Sequence, residues 1–196
     1  DEAILDYCRS LASELRGQSA FGEPLRVLLD TKAAKAAAKR WAWVKKGAPI
    51  IIEVGPRDVA NGKLAVIKRT DLYKEDGKLN SQFPAREEFI ANAGAQLEAI
   101  QASLFTEAKA RLDSNIVRNL SDWPSIAAYF KDTPIPGWVE ISWSKPTGEA
   151  LAAVVEKIKA LKLTIRNVPN NGTQASGVCP LTGEPAVEHI LIGRAY

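Results

Sequence analysis

The chain has 196 residues, 46% of them apolar and 25% charged, with 26 basic residues against 23 acidic ones. That is ordinary globular composition for one domain or two small ones, and no apolar run approaches the roughly 18 residues of a membrane span. Two cysteines, Cys8 and Cys179, are too few for a disulfide framework or a four-ligand zinc site, which points to a reducing, cytoplasmic setting. No signal peptide opens the chain, and Asp1 in place of methionine leads us to expect a further segment upstream.

Residues 2–16 carry Ile4, Leu5, Cys8, Leu11, Ala12 and Leu15 at helical spacing, closed by Gly17. Leu25 to Leu29 (LRVLL) predicts a short strand, and Asp30-Thr31 a cap for an alanine- and lysine-rich helix over 32–45. Gly47 and Pro49 end that helix before a buried strand, Ile50 to Val54. Gly55 to Asp58 (GPRD) reads as a turn and Asn61-Gly62 as a hairpin turn before a strand over 63–69. Pro84 then opens the longest element. A helical beat from Phe89 to Ile116 predicts a connecting helix from Ala85 to about Val117, roughly 50 Å long and kinked near Gly94.

Asp122-Trp123-Pro124 opens a short helix, Trp138 to Trp143 is a strand, and 146–161 is an amphipathic helix. Leu163 to Asn167 and Val187 to Ile192 are further strands. The fold class is therefore α/β: a first small domain over 1–83, a connecting helix over 84–119 and a small α/β domain over 120–196.

Charge is unevenly spread. Residues 25–82 hold thirteen bases and six acids, whereas 83–196 are near neutral. Lys32, Lys35, Lys39, Arg40, Lys45 and Lys46 lie between Asp30 and Glu53 with no acid among them. On one continuous helix Lys32, Lys35, Lys39 and Trp43 share a face, where like charges cost a few tenths of a kcal/mol per pair. A polyanion would offset that cost, and Trp41 and Trp43 offer stacking surfaces to unpaired bases. The alternatives are solvated lysines on a good helix former and tryptophans that pack the helix onto a sheet. A strand follows the basic helix, which disfavours a helix-turn-helix reader of DNA, and single-stranded or looped RNA fits better.

Chemistry is sparse. His189 sits in the expected last strand, Cys8 on an apolar helix face, and Cys179 without a basic neighbour in sequence to activate it. GPRDVANG lacks the glycine spacing and the lysine of a phosphate loop. An autonomous enzyme acting through Cys179 or His189 is disfavoured.

KGAPIIIEVGPRD (Lys46 to Asp58) is similar to the KGVPxxIEIGPRD block of prolyl-tRNA synthetases, and CPLTGEPAVEHILIGRAY resembles the tail of that family. The resemblance implies a class IIa anticodon-binding domain with a mixed sheet and flanking helices, followed by the family's extra C-terminal domain. The catalytic domain that uses ATP and Mg2+ is not expected within these residues. It implies tRNA for proline and the catalytic domain as partners, a homodimer for the full enzyme, and neither DNA nor membrane contact. It also implies that the first strand of the anticodon domain, which precedes the helix over 2–16, is missing beside Leu25 to Leu29. An exposed sheet edge there would need covering.

Carried over position by position, Asp30 matches the aspartate that ends the domain's second strand, and Lys32 stands where arginine is usual. Lys39 fits the family's lysine, with Ala37 in place of a glycine. Trp43, Lys46 and Gly47 match the WELKGVP block, but Val44 replaces its glutamate. Proline anticodons carry two consecutive guanines, whose O6 and N7 accept from lysine or arginine. Lys39, Lys46 and Arg57 are assigned to such contacts or to neighbouring phosphates, and Lys32, Lys35 and Arg40 to the basic face around them. Arg57 has a rival role in bracing the turn with Asp58. In the C-terminal domain Asn167, Gly172 and Thr182 stand where relatives have zinc-binding cysteines, leaving Cys179 alone. No metal is expected, and Ile141, Ile165 and Ile190 are expected to hold the domain. Tyr196 matches a terminal tyrosine that docks toward the catalytic domain. Two readings follow: an anticodon-binding unit, or a docking module with little RNA contact.

Overall fold

An amphipathic helix, α1 (Glu2–Arg16), places Leu11, Ala12 and Leu15 inward and ends where the Gly17 amide reaches back to the Ser13 and Glu14 carbonyls. In the computed structural model, which describes residues 2–170 and 174–195, the chain forms two compact units, Asp1–Thr106 and Glu107–Tyr196. In the first, α1 leads into a two-strand ribbon of β1 (Ser19–Ala20) and β2 (Glu23–Pro24). Phe21 and Gly22, at φ 55° and 77°, make its turn. After α2 (Ala36–Lys45) come β3 (Ile50–Glu53), a short helix α3 (Pro56–Asn61), β4 (Ala65–Lys68) and β5 (Ser81–Gln82). The strands form an antiparallel sheet in the order β3-β4-β5, with Ile51 opposite Ile67.

Leu64, Val66, Phe89 and Ile90 join Leu11 and Leu15 in the core of this unit. Burying each large side chain contributes roughly 1.5–3 kcal/mol. The long helix α4 (Arg86–Ser114) starts beside α1. There the Arg86 guanidinium donates to both Glu14 carboxylate oxygens, at 2.9 and 2.6 Å, and lies over the Tyr7 ring.

In the second unit a four-stranded sheet runs β6-β7-β9-β8. Its members are β6 (Ile116–Val117), β7 (Trp138–Trp143), β8 (Leu163–Asn167) and β9 (Glu188–Arg194). Period-two alternation in β7 turns Val139, Ile141 and Trp143 inward. Against them pack Ile126 and Phe130 of α5 (Trp123–Asp132) and Val154 and Ile158 of α6 (Gly148–Lys159). The Asp122 carboxylate caps α5 by accepting from the Ser125 amide.

Several expectations are corrected. Leu25–Leu29 forms no strand: the Leu25 amide donates to the Gln18 carbonyl and the Val27 carbonyl accepts from Arg16, so no ladder runs along it. It lines an apolar trough of about 850 Å³ together with Ile50, Ile52 and Val54 and with residues of α1 and α4. This is where the sequence reading expects an uncovered sheet edge. GPRD opens a helix instead of a turn, because Pro56 takes its first position and the Asp58 carboxylate accepts from the Gly55 amide. Gly62, at φ 60°, terminates that helix in place of a hairpin. Ile116 and Val117, expected as helix, pair in parallel with Trp138 and Val139, as suits β-branched side chains at a sheet. Ile165 is 39% exposed, because β8 is an edge strand whose pairing with β9 is broken by an irregularity beside it.

Gly94 does not interrupt α4, which runs unbroken through it. Its role is close approach: a Cβ there would lie 2.1 Å from the Ser19 carbonyl oxygen. Alanine in a helix interior ordinarily adds about 0.5–1 kcal/mol relative to glycine. Gly94→Ala is expected to do the opposite and cost about 1–3 kcal/mol through overpacking, read as a lowered midpoint in thermal or urea unfolding.

Candidate nucleic-acid interface

Asp30 organises the basic segment. Its carboxylate accepts from the Trp43 indole N–H at 2.7 Å and from the Lys32 amide at 3.0 Å. Its backbone carbonyl accepts from the Lys39 ammonium at 2.8 Å, and that ammonium lies 3.9 Å from the carboxylate. Because the side chain folds back on Lys32, it caps no helix, and α2 starts only at Ala36 with Lys35 as its uncapped leading residue. Lys32 therefore precedes the helix, and the shared face of Lys32, Lys35, Lys39 and Trp43 is not formed as one helical stripe.

A second tether comes from β3. Arg40 makes a two-pronged ion pair with Glu53, Nε to Oε1 at 2.9 Å and a terminal nitrogen to Oε2 at 3.1 Å. Both partners are partly shielded, 18% and 31% exposed, so this pair outweighs a fully solvated one. Lys46 completes the group with its ammonium 4.4 Å above the Trp43 ring. Asp30 thus gathers Lys32, Lys39 and Trp43, with Lys46 attached through the indole.

The remaining cations divide cleanly. Lys32, Lys35, Lys45 and Lys46 are exposed and form no ion pair among the described residues. Lys45, named from sequence as part of the basic run, was given no contact of its own there. Arg57 is exposed on α3, where its carbonyl accepts from Asn61 and Asp58 alone braces the helix start. No contact joins Arg57 to the Asp30 cluster among the described residues. Val44 is half-buried on α2.

No group of three or more His, Cys, Asp or Glu side chains that could hold a metal ion occurs among the described residues. The Cys179 side chain is buried and set among hydroxyls rather than thiols, with Ser144 and Thr182 bonded to each other at 2.9 Å. Burial pushes its thiol up, and hydrogen bonds from Thr182, the Ser144 and Leu181 amides and the Ser144 hydroxyl outweigh that and hold it below its ordinary value. That environment suits a single sulfur and does not fit a zinc ion, which wants four strong ligands. His189 stands opposite Ser142 in the β7–β9 ladder. Cys8 is half-buried at the trough, and burial raises its thiol above the ordinary value. Gly172 and Tyr196 lie outside the described residues.

Residues 1–84 match the family model described as an anticodon binding domain. Across 100% of its length the chain is 58% identical to the proline–tRNA ligase of Sphingomonas elodea and 60% identical to that of Sphingopyxis alaskensis, covering 39% and 37% of those proteins. The chain matches the anticodon-binding region of prolyl-tRNA synthetases. Similarity to prolyl-tRNA synthetases continues past residue 84 and takes in the second unit. A solved prolyl-tRNA synthetase from Cryptosporidium parvum, complexed with halofuginone and AMPPNP, superposes with a TM-score of 0.74 at 20% identity. The superposition covers the whole chain and 37% of that protein, and at such identity it supports the fold alone. The chain spans less than two fifths of the length of these prolyl-tRNA synthetases.

Hydrogen bonds from the Trp43 indole and the Lys32 amide, with the nearby Lys39 charge, hold the Asp30 carboxyl below its ordinary range. Its contribution is therefore complete above the unfolded-state value, near pH 4, and is lost as pH falls through the lower folded value. Asp30→Asn is expected to remove that acid dependence, because its amide oxygen can still accept from the Trp43 indole but no longer titrates. Tryptophan emission followed through an acid titration of both proteins checks this.

Proposed function

We propose that this chain binds the anticodon stem-loop of tRNA for proline on behalf of a proline–tRNA ligase. One observation carries the reading. Both acids flanking the basic run, Asp30 and Glu53, turn inward onto Lys39 and Arg40, and among the described residues no acid forms an ion pair with the exposed lysines around them. Lys39 and Arg40 serve as braces that hold α2, whereas Lys32, Lys35, Lys45 and Lys46 face the RNA. Lys46 and Arg57 are assigned to the guanine edges or adjoining phosphates, and Lys32 and Lys35 to phosphates, which give affinity without sequence preference. Trp43 works by position, carrying Lys46 on its ring.

In this reading the ligase joins proline to its tRNA with ATP and Mg2+ bound by a catalytic domain outside these residues. It acts in the cytoplasm as a homodimer, and Tyr196 docks toward the catalytic domain.

The test is binding to proline tRNA across a salt series. Replacing Lys46 and Arg57 together by alanine is expected to weaken binding and to flatten the plot of log K against log salt by about 0.7 per lost phosphate contact. Equal affinity for a tRNA with a scrambled anticodon would overturn the anticodon claim and leave general RNA binding. Undiminished affinity after the double substitution would overturn the assignment of these two cations.

A further inference from the structure

We infer that Trp41 and Tyr73 together form a stacking platform for one unpaired base of the bound RNA; this deepens the RNA-binding reading above and rests on it. The two rings stand 6.4 Å apart between centroids, tilted by 39°, and remain 44% and 49% exposed. Neither ring belongs to the buried core of its unit.

The direction of Trp41 is fixed by its neighbours. Lys39, Arg40 and Trp43 are tied inward to Asp30 and Glu53, which sets the rotation of α2 about its own axis. Trp41 is rotated about 100° from Arg40 and about 200° from Trp43, and so turns away from Asp30. One turn back stand Ala37 and Ala38, both exposed and too small to cover an indole. One turn forward is Lys45, exposed and outside any ion pair among the described residues. On the other side, Tyr73 sits in a well-braced hairpin. Tyr73 bridges Leu79, the Lys74 amide donates to the Lys78 carbonyl at 2.8 Å, and the Asn80 amide donates to the Leu72 carbonyl at 2.8 Å. Lys74 follows the tyrosine directly.

Two half-exposed aromatic rings thus stand on backbone-bonded elements, with Lys45 one turn along α2 from Trp41 and Lys74 next to Tyr73 in sequence. A flat π face gives sequence-tolerant adhesion to a base, and adjacent ammonium groups match the phosphates on either side of it. A protein partner would favour an apolar surround, whereas Lys45 and Lys74 put charge next to the two aromatic residues along the chain. Trp43, the other tryptophan of the basic run, has its N–H taken by Asp30 and its face by Lys46, and is therefore unsuited to the same task.

The experiment measures binding of the full chain to the proline anticodon stem-loop, intact and in a series with one loop base removed at a time. Trp41→Ala and Tyr73→Ala are each expected to weaken binding about tenfold with the salt slope unchanged, while Trp41→Phe and Tyr73→Phe retain most of the affinity. One base-removed RNA should reproduce the loss and lose nothing further with Trp41→Ala. Circular dichroism of each variant confirms folding, which the exposure of both rings favours. The platform is overturned if Trp41→Ala binds as tightly as the parent, or if its loss is the same on top of every base removal. Those results leave RNA binding by the lysines standing. Absence of any binding by the parent overturns both.

Discussion

The carboxylate of Asp30 is the constraint on which the basic segment depends. A run of six cations in 15 residues, Lys32 to Lys46, repels itself, and a ten-residue helix with no fully buried side chain has little packing energy to offset that. Asp30 answers on three sides at once, through the Trp43 indole, the Lys32 amide and the Lys39 ammonium. Glu53 holds the adjacent arginine from the neighbouring strand. With these two acids the helix acquires one fixed orientation in place of a solvated, rotating one.

That arrangement settles a tension between stability and binding. Every cation neutralised inside the fold is a cation withheld from a polyanion, yet cations left entirely free would loosen the element that carries them. The chain divides the labour by position along α2. The residues nearest Asp30 and β3 are held, and those at the two ends, Lys35 and Lys45 with Lys46, stay solvated. In the proposed RNA-binding reading, long-range attraction comes from side chains that need no precise geometry, because phosphate attraction falls off slowly within a Debye length.

How much of this the sequence announced depends on whether the signal was local. The α1 span, the strand Trp138–Trp143 and the helix opened at Asp122-Trp123-Pro124 are local patterns, and all were legible. Leu25–Leu29 has the composition of a strand, but a strand exists only where another backbone pairs with it, and no propensity scale reports the partner. The start of α2 failed for a related reason. Asp30 is a good cap by type, but a tryptophan thirteen residues on claims its side chain. GPRD was misread because turn chemistry and helix-start chemistry use the same residues, glycine, proline and aspartate, and only the following backbone separates them.

The site shows the same divide at the level of side chains. Sequence spacing identified the cations but could not say which were already occupied, since Asp30 and Glu53 bracket the run and could have faced either way. It offered Trp41 and Trp43, two residues apart in one helix, as stacking surfaces and placed Trp43 alone on the basic face. A two-residue step turns a helix by about 200°, so a single helix cannot aim both rings at the same neighbour. Once Asp30 takes one indole, the other is directed outward by geometry alone, where Tyr73 meets it from a hairpin some thirty residues away in sequence. The outward aromatic pair is thus a consequence of the inward carboxylate, and the same acid that holds the helix together decides which of its rings is free to meet a partner.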